Sequence, residues 1–183
     1  MKSLKRVFAE PAGMPVLADD VIEFHAARLL LLFRLCGKAG RIDGLTKMAK
    51  LDFFVRYPAF FKALCVRLGK TTSTPEVGRV ESQMVRHHYG PWDKRYYQIL
   101  AYLESRGLLQ VTPQGSTYVL SLSGEGKRIA KQLEKAPSYQ PISAMMREVK
   151  EVLGDRTGSA LKNLIYQTFD SEVARQSLGT IIR

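Results

Sequence analysis

The hydrophobic positions of this chain mostly recur at the three- and four-residue spacing of amphipathic helices, which predicts a mainly helical protein. Acids Asp19 and Asp20 mark the start of the first helix and Gly37 its end. Pro75 and Gly78 indicate a polar loop over residues 70–80. The predicted helices cover residues 19–36, 45–57, 59–68, 94–106, a stretch starting near 124, 142–153 and 159–169.

The pattern changes after the helix at 94–106, where two short strands are predicted at 108–112 and 117–122, joined by a "PQGS" turn. Ser123 is placed to cap the helix that follows. Helix, hairpin and helix in this order are typical of a winged helix. The expected fold class is therefore mainly α with a small β-hairpin, a winged helix-turn-helix core with additional N- and C-terminal helices. On the helix before the hairpin, the core-facing positions are Tyr96, Ile99, Leu100 and Leu103.

Changes in composition divide the chain into three expected parts. Residues 1–18 form a basic N-terminal arm, and residues 19–136 form the winged-helix domain with a helical insertion and the polar loop at 70–80. Residues 137–183 form a C-terminal helical extension, which begins with prolines and continues as two amphipathic stretches. These last helices are expected to pack on the domain or to hold a partner.

The charge balance points to an anionic partner. The chain holds 28 Lys and Arg against 17 Asp and Glu, a net charge of +11, which favours nucleic acid or an acidic protein. Neither a signal peptide nor a membrane-spanning run is recognisable, so a cytoplasmic protein without a membrane partner is expected. Cys36 and Cys65 lie in apolar helical patterns and are expected to be reduced core thiols.

The search for catalytic chemistry predicts a protein that is not an enzyme. His25, His87 and His88 do not have the spacing of zinc ligands with either cysteine. No nucleophile–base grouping and no glycine-rich nucleotide fingerprint stands out. No cofactor and no metal are expected.

The exposed side of the helix at 94–106 has two interpretations. Its side chains could reach phosphates and base edges in a DNA groove. The following "TPQGST" turn, however, lacks a basic residue that would bind a phosphate backbone, which favours a protein-docking surface or one that touches DNA without sequence specificity. The candidate DNA-binding residues are Lys94, Arg95, Gln98, Tyr102 and Ser105.

The segment "KLDFFVRYPAFF" at 50–61 places an acid and a base in an apolar, aromatic run. Asp52 and Arg56 are four residues apart and so form a pair on one helix. Either this pair is satisfied inside the core, or it organises an aromatic and basic surface that a protein partner reads. The candidate partner-binding residues are Lys50, Asp52, Phe54, Arg56, Tyr57 and Phe60.

A second motif, "YGPWD", precedes the helix at 94–106 and is interpreted as structural. Gly90 and Pro91 are expected to form a turn. Trp92 is expected to be an apolar anchor, and Asp93 to cap the helix. Tyr89 completes the motif.

These two motifs together resemble the middle component of bacterial ABC-three-component systems, the small subunit of Lamassu-type antiphage defence. The resemblance covers residues 26–133. The matching positions are Leu51, Asp52, Phe53, Arg56, Tyr57 and Pro58, then Tyr89, Gly90, Pro91, Trp92 and Asp93. It implies a noncatalytic subunit that docks on the coiled coil of an SMC-like ATPase and on an effector nuclease, with any DNA contact made mainly through phosphates.

Two other classes stay open at this point. Antitoxins with a Panacea domain share the Tyr-Gly-Pro element and neutralise toxins by direct contact, although the Asp-Phe-Phe-x-Arg-Tyr-Pro element is not part of their pattern. A winged-helix transcription regulator would use its terminal helices as a dimer interface.

Overall fold

The computed structural model describes residues 20–72 and 83–182, which form a mainly helical protein with small antiparallel sheets. The helices are α1 (Ile22–Cys36), α2 (Leu45–Arg56), α3 (Pro58–Arg67), α4 (Tyr96–Ser105), α5 (Gly124–Lys135), α6 (Gln140–Leu153) and α7 (Gly158–Thr168). The strands are β1 (Arg41–Asp43), β2 (Val85–His87), β3 (Gly90–Trp92), β4 (Leu109–Gln114) and β5 (Thr117–Leu122). A 3-10 turn at Pro137–Tyr139 precedes α6, and a π-helical turn at Asp170–Ala174 follows α7.

The predicted helices are confirmed, with ends that shift by a few residues. The start of α1 moves to Ile22 and that of α4 to Tyr96. Ser123 caps α5 as expected, because its hydroxyl accepts a 2.9 Å hydrogen bond from the Gly126 N–H. The expected arm at 1–18 and residues 73–80 of the expected loop lie outside the described residues.

The larger sheet has the order β1-β5-β4. Strand β1 was not predicted, and its Ile42 pairs with Leu120 of β5. The predicted hairpin is confirmed, but its turn is shorter than expected, because Pro113 lies within β4 opposite Tyr118. Proline is tolerated there because β4 is an edge strand, where a missing N–H breaks no ladder bond.

A second, two-stranded sheet joins β2 to β3. The expected turn at Gly90 and Pro91 was wrong, since both residues belong to β3 and Arg86 of β2 pairs with Pro91. The chain turns instead at His88 and Tyr89. Near the C-terminus, Ile181 makes a bridge with Val85 and so extends this sheet.

One core joins the expected domain and its C-terminal extension. The run Leu29–Phe33 of α1 is at most 3% exposed. Helices α6 and α7 pack against α1 and α2 and contribute Met146 and Ile165 to the same buried cluster. Cys36 and Cys65 are both buried and free, and burial raises the pKa of Cys36 to about 12. The extension therefore packs back on the domain.

Candidate functional site

The residues of α2 that were expected to bind a partner are interior residues. Asp52 is 0% exposed and Arg56 is 7% exposed, because α2 lies among α1, α6, α7 and β3. The expectation that they form a surface is therefore wrong for this fold, since a partner cannot touch buried side chains. The buried members of that set are Lys50, Asp52, Phe54, Arg56 and Tyr57, and Phe60 is half-buried.

The charges of α2 belong instead to a buried ion network that connects three helices. Its first centre is the Asp52 carboxylate. Arg28 of α1 donates a 2.9 Å hydrogen bond from Nε to Oδ1, and Tyr96 of α4 donates a 2.7 Å hydrogen bond to Oδ2. Arg56 also lies 3.7 Å from Oδ2, which confirms the predicted i, i+4 pair. The members of the network are His25, Arg28, Asp52, Arg56, Asp93, Arg95 and Tyr96.

The second centre of the network is the Asp93 carboxylate. Arg56 donates to its Oδ2 at 2.8 Å, and Arg95 donates to the same oxygen at 2.7 Å. Although burial opposes ionisation, the hydrogen bonds from Arg95 and the charge of Arg56 hold the pKa of Asp93 well below its usual range. Asp93 is therefore an ionised acceptor at neutral pH.

The imidazole of His25 connects the two arginines at the ends of the network. Its Nδ1 lies 3.0 Å from Arg28 and its Nε2 lies 2.7 Å from Arg95. His25 and Arg28 were not predicted as site residues. The available signal was the position of Arg28, one of the two arginines that flank the "LLLLF" run of α1. An arginine at such a position needs a buried acid, but the sequence does not say which one.

The structural motif at 89–93 is confirmed in the role of Trp92, which is 7% exposed and makes an edge contact with Tyr96 at 5.1 Å between ring centres. The expected helix cap at Asp93 was wrong, because α4 starts later and its N-cap position is Arg95, without a side-chain cap. Asp93 instead accepts a 2.9 Å hydrogen bond from the Arg95 N–H in the turn ahead of α4. Gly90 has a φ of +94°, and a Cβ there would lie 3.4 Å from Lys50 Cε. Glycine therefore suits this position because of its positive φ, while the contact with Lys50 is an ordinary one.

Lys50 is a fully buried amine beside this motif. Its Nζ donates a 2.8 Å hydrogen bond to the Pro91 carbonyl. Burial, together with the positive charges of Arg86 and Lys162, lowers the pKa of Lys50 to about 7. Lys50 is thus a titratable group at neutral pH rather than part of a partner-binding face.

The candidate DNA-binding residues on α4 do not share one environment. Lys94, Gln98 and Ser105 are exposed, whereas Arg95 and Tyr102 are half-buried. The guanidinium of Arg95 is engaged by Asp93 and His25, so its expected role in reaching DNA is wrong. The Tyr102 hydroxyl donates to Glu23 of α1 at 3.2 Å.

Residues 20–72 and 83–182 contain neither a cluster of metal ligands nor a helix that could span a membrane. No group of three or more His, Cys, Asp or Glu side chains in these residues could hold a metal ion. None of the helices in these residues is both long and apolar enough to cross a bilayer.

Comparison of the chain with protein-family models, with curated proteins and with solved structures finds no match.

Proposed function

We propose that this chain is a noncatalytic accessory subunit with a winged-helix core, which assembles with an SMC-like ATPase and an effector nuclease in antiphage or anti-plasmid defence. The proposal combines the resemblance carried by the two motifs with the way in which those motifs meet in the fold.

The order of elements supports a winged-helix core. Helices α1, α2 and α4 would be its three helices, with β1 between the first two and the β4–β5 hairpin after the third. The sheet order β1-β5-β4 places the first strand beside the last, as a winged helix requires. Helix α3 and the β2–β3 hairpin would be an insertion between the second and third helices.

The observation that carries the proposal is the ion pair between the two motifs. Arg56 of "DFFVRYP" donates a 2.8 Å hydrogen bond to Asp93 of "YGPWD". Residues that are far apart in sequence and carry one resemblance thus form one structural unit. This unit fixes α2 against the start of α4. It supports the interpretation that both motifs serve the same architecture as in the family that the chain resembles.

Burial also supports a noncatalytic role. Asp52 is 0% exposed and Asp93 is 4% exposed, and both are paired with arginines. A general acid or base must come within hydrogen-bond reach of a substrate. Because these two carboxylates are buried, a substrate cannot reach them, and their function is to position helices. The partner would then bind to exposed surfaces that the network holds in place.

Affinity purification of the chain from its native host tests this function. The proposal predicts that an SMC-like ATPase and a nuclease are recovered in amounts comparable to the chain. Recovery of a toxin in their place would support the antitoxin class. Recovery of the chain alone as a dimer on an operator sequence would support a transcription regulator. Either of the last two results would contradict the proposal.

A further inference from the structure

The β2–β3 hairpin and α7 create a cationic face. Arg86 lies over the ring of Tyr166, 5.2 Å from its centre, and donates hydrogen bonds to the Val173 and His87 carbonyls. Lys162 lies 5.9 Å from the ring centre of Tyr89. The Tyr166 hydroxyl donates a 3.2 Å hydrogen bond to the His88 carbonyl and so connects α7 to the hairpin turn. The hairpin face is defined by Arg86, His87, His88, Tyr89, Lys162 and Tyr166.

Two positive charges of this face, Arg86 and Lys162, repel the positive charge of the buried Lys50 beside it. Among the described residues, the charged groups that act most strongly on Lys50 are Arg86 and Lys162, and both lower its pKa after burial. Burial also lowers the pKa of His87, with added effects of His88, Lys50 and Arg86, all of the same sign. An anion placed here would relieve this repulsion, so the electrostatics of the face favour a negatively charged ligand.

The aromatic rings of the face point to the kind of anion. Tyr89 is 56% exposed at the tip of the hairpin, with Lys162 5.9 Å from its ring centre. An exposed tyrosine beside a cation is the arrangement by which proteins stack a base while binding the backbone of a single strand. An acidic protein would use the cations but would leave the rings without a matching planar group.

We infer that the hairpin face binds single-stranded nucleic acid, with a phosphate at Lys162 and a base stacked on Tyr89. A duplex offers phosphates but keeps its bases stacked internally, so the tyrosine would not be used. This inference goes beyond the proposed function, because the motif was interpreted as structural at Tyr89 and the resemblance assigns no ligand to Lys162.

Two pairs of matched variants of the full chain test the inference. Lys162→Glu removes a cation from the face, and Lys131→Glu makes the same charge change at an exposed position of α5. Tyr89→Ala removes the stacking ring, and Tyr118→Ala removes a ring that is 47% exposed on β5. Affinity for a fluorescent oligothymidine strand is measured by anisotropy across a salt series, with circular dichroism confirming that each variant is folded.

The expected result is a separate signature for each residue. Lys162→Glu lowers affinity about tenfold and reduces the log–log salt slope by about 0.7, the value for one phosphate contact on a single strand. Tyr89→Ala lowers affinity about tenfold with an unchanged slope, because the lost contact is uncharged. Lys131→Glu and Tyr118→Ala each change affinity less than threefold, on the order expected of surface changes away from the site.

Three results would overturn the inference. In the first, Lys162→Glu and Lys131→Glu lower affinity equally, which would mean that only net charge matters. In the second, Tyr89→Ala matches Tyr118→Ala, or weakens duplex binding as much as single-strand binding. In the third, polyglutamate of equal charge displaces the strand as well as unlabelled oligothymidine does, which would indicate an acidic-protein surface. Because the isolated chain is measured, none of these results depends on assembly with an ATPase.

Discussion

Arg56 and Asp93 form a 2.8 Å ion pair in the interior of the protein, although 37 positions separate them in sequence. The pair joins the end of α2 to the residues that lead into α4. Asp52 also pairs with Arg56, and Arg95 also pairs with Asp93. The orientation of α4 therefore depends on a set of charges rather than on apolar packing alone. Its contribution to stability can be measured directly.

Asp93→Asn is expected to lower the free energy of unfolding by about 3 kcal/mol or more, since it removes the charge that compensates buried Arg56. Asp43→Asn is the matched control, because Asp43 pairs with Arg41 at an exposed site where both side chains are at least 48% exposed. The control is expected to cost at most about 1 kcal/mol. Urea unfolding measures the free energy of unfolding of both variants. Equal losses for the two variants would show that the buried pair contributes no more to stability than the exposed pair.

The Asp93 carboxylate also predicts a specific acid sensitivity. Its pKa in the folded protein lies below the usual value of 3.8. Its contribution is therefore fully present well above that value and is lost as the pH falls below it towards the folded-state pKa. The stability difference between the wild type and Asp93→Asn should narrow from pH 5 to pH 2, as followed by urea unfolding. A constant stability difference over this pH range would contradict the lowered pKa of Asp93 in the folded protein.

Tyr96→Phe is expected to cost about 1.5–3 kcal/mol, because it removes the 2.7 Å hydrogen bond to the buried Asp52 carboxylate without changing the ring. Tyr102→Phe is the control on the same helix, where the hydroxyl donates to Glu23 at 3.2 Å near the surface. We expect its cost to be below about 0.5 kcal/mol. Thermal unfolding with calorimetry compares the two, and a control as costly as Tyr96→Phe would argue against the network.

Lys50 predicts a rise in stability with pH. Its pKa is about 7 in the folded protein, against 10.5 for an ordinary lysine. The unfolded chain therefore binds more protons between these values, and the free energy of unfolding should increase with pH by up to about 1.4 kcal/mol per unit. The useful window is pH 7–9, because above the ordinary value of 9.0 the raised pKa of Cys36 acts in the opposite direction.

Lys50→Met keeps the apolar length of the side chain and removes the titration, so it is the matched variant for this window. Its free energy of unfolding should change less than that of the wild type between pH 7 and pH 9, as measured by urea unfolding at three pH values. Parallel pH profiles for the two proteins would mean that Lys50 stays charged in the folded state.

The sequence predicted those parts of the fold that have a strong local signal. The apolar spacing of Tyr96, Ile99, Leu100 and Leu103 identified the buried side of α4, and all four are at most 5% exposed. Gly115 marked the turn of the β4–β5 hairpin and has a φ of +58°. Strands β1, β2 and β3 were missed because each has only 3 residues, too few to show an alternating pattern.

The candidate site was only half predictable. The Asp52–Arg56 pair follows from helical spacing, but Arg28 and Asp93 come from other elements that only the tertiary fold brings close. The charges of Asp52 and Arg56 therefore led to the prediction that α2 forms a surface, whereas the structure places both residues in the interior. Arg56→Glu would place a third acid beside Asp52 and Asp93, so we expect it to unfold the protein rather than to weaken assembly selectively.

The most direct test of the proposed function is co-expression of the chain with an SMC-like ATPase from the same host, followed by nuclease treatment and size exclusion at micromolar concentration. Nuclease treatment removes nucleic acid that could bridge the two proteins, and Lys162→Glu provides a variant whose assembly should be unchanged. The account predicts that the chain and the ATPase elute together in one peak, for the wild type and for Lys162→Glu. Separate elution of the folded chain and the folded ATPase would contradict it.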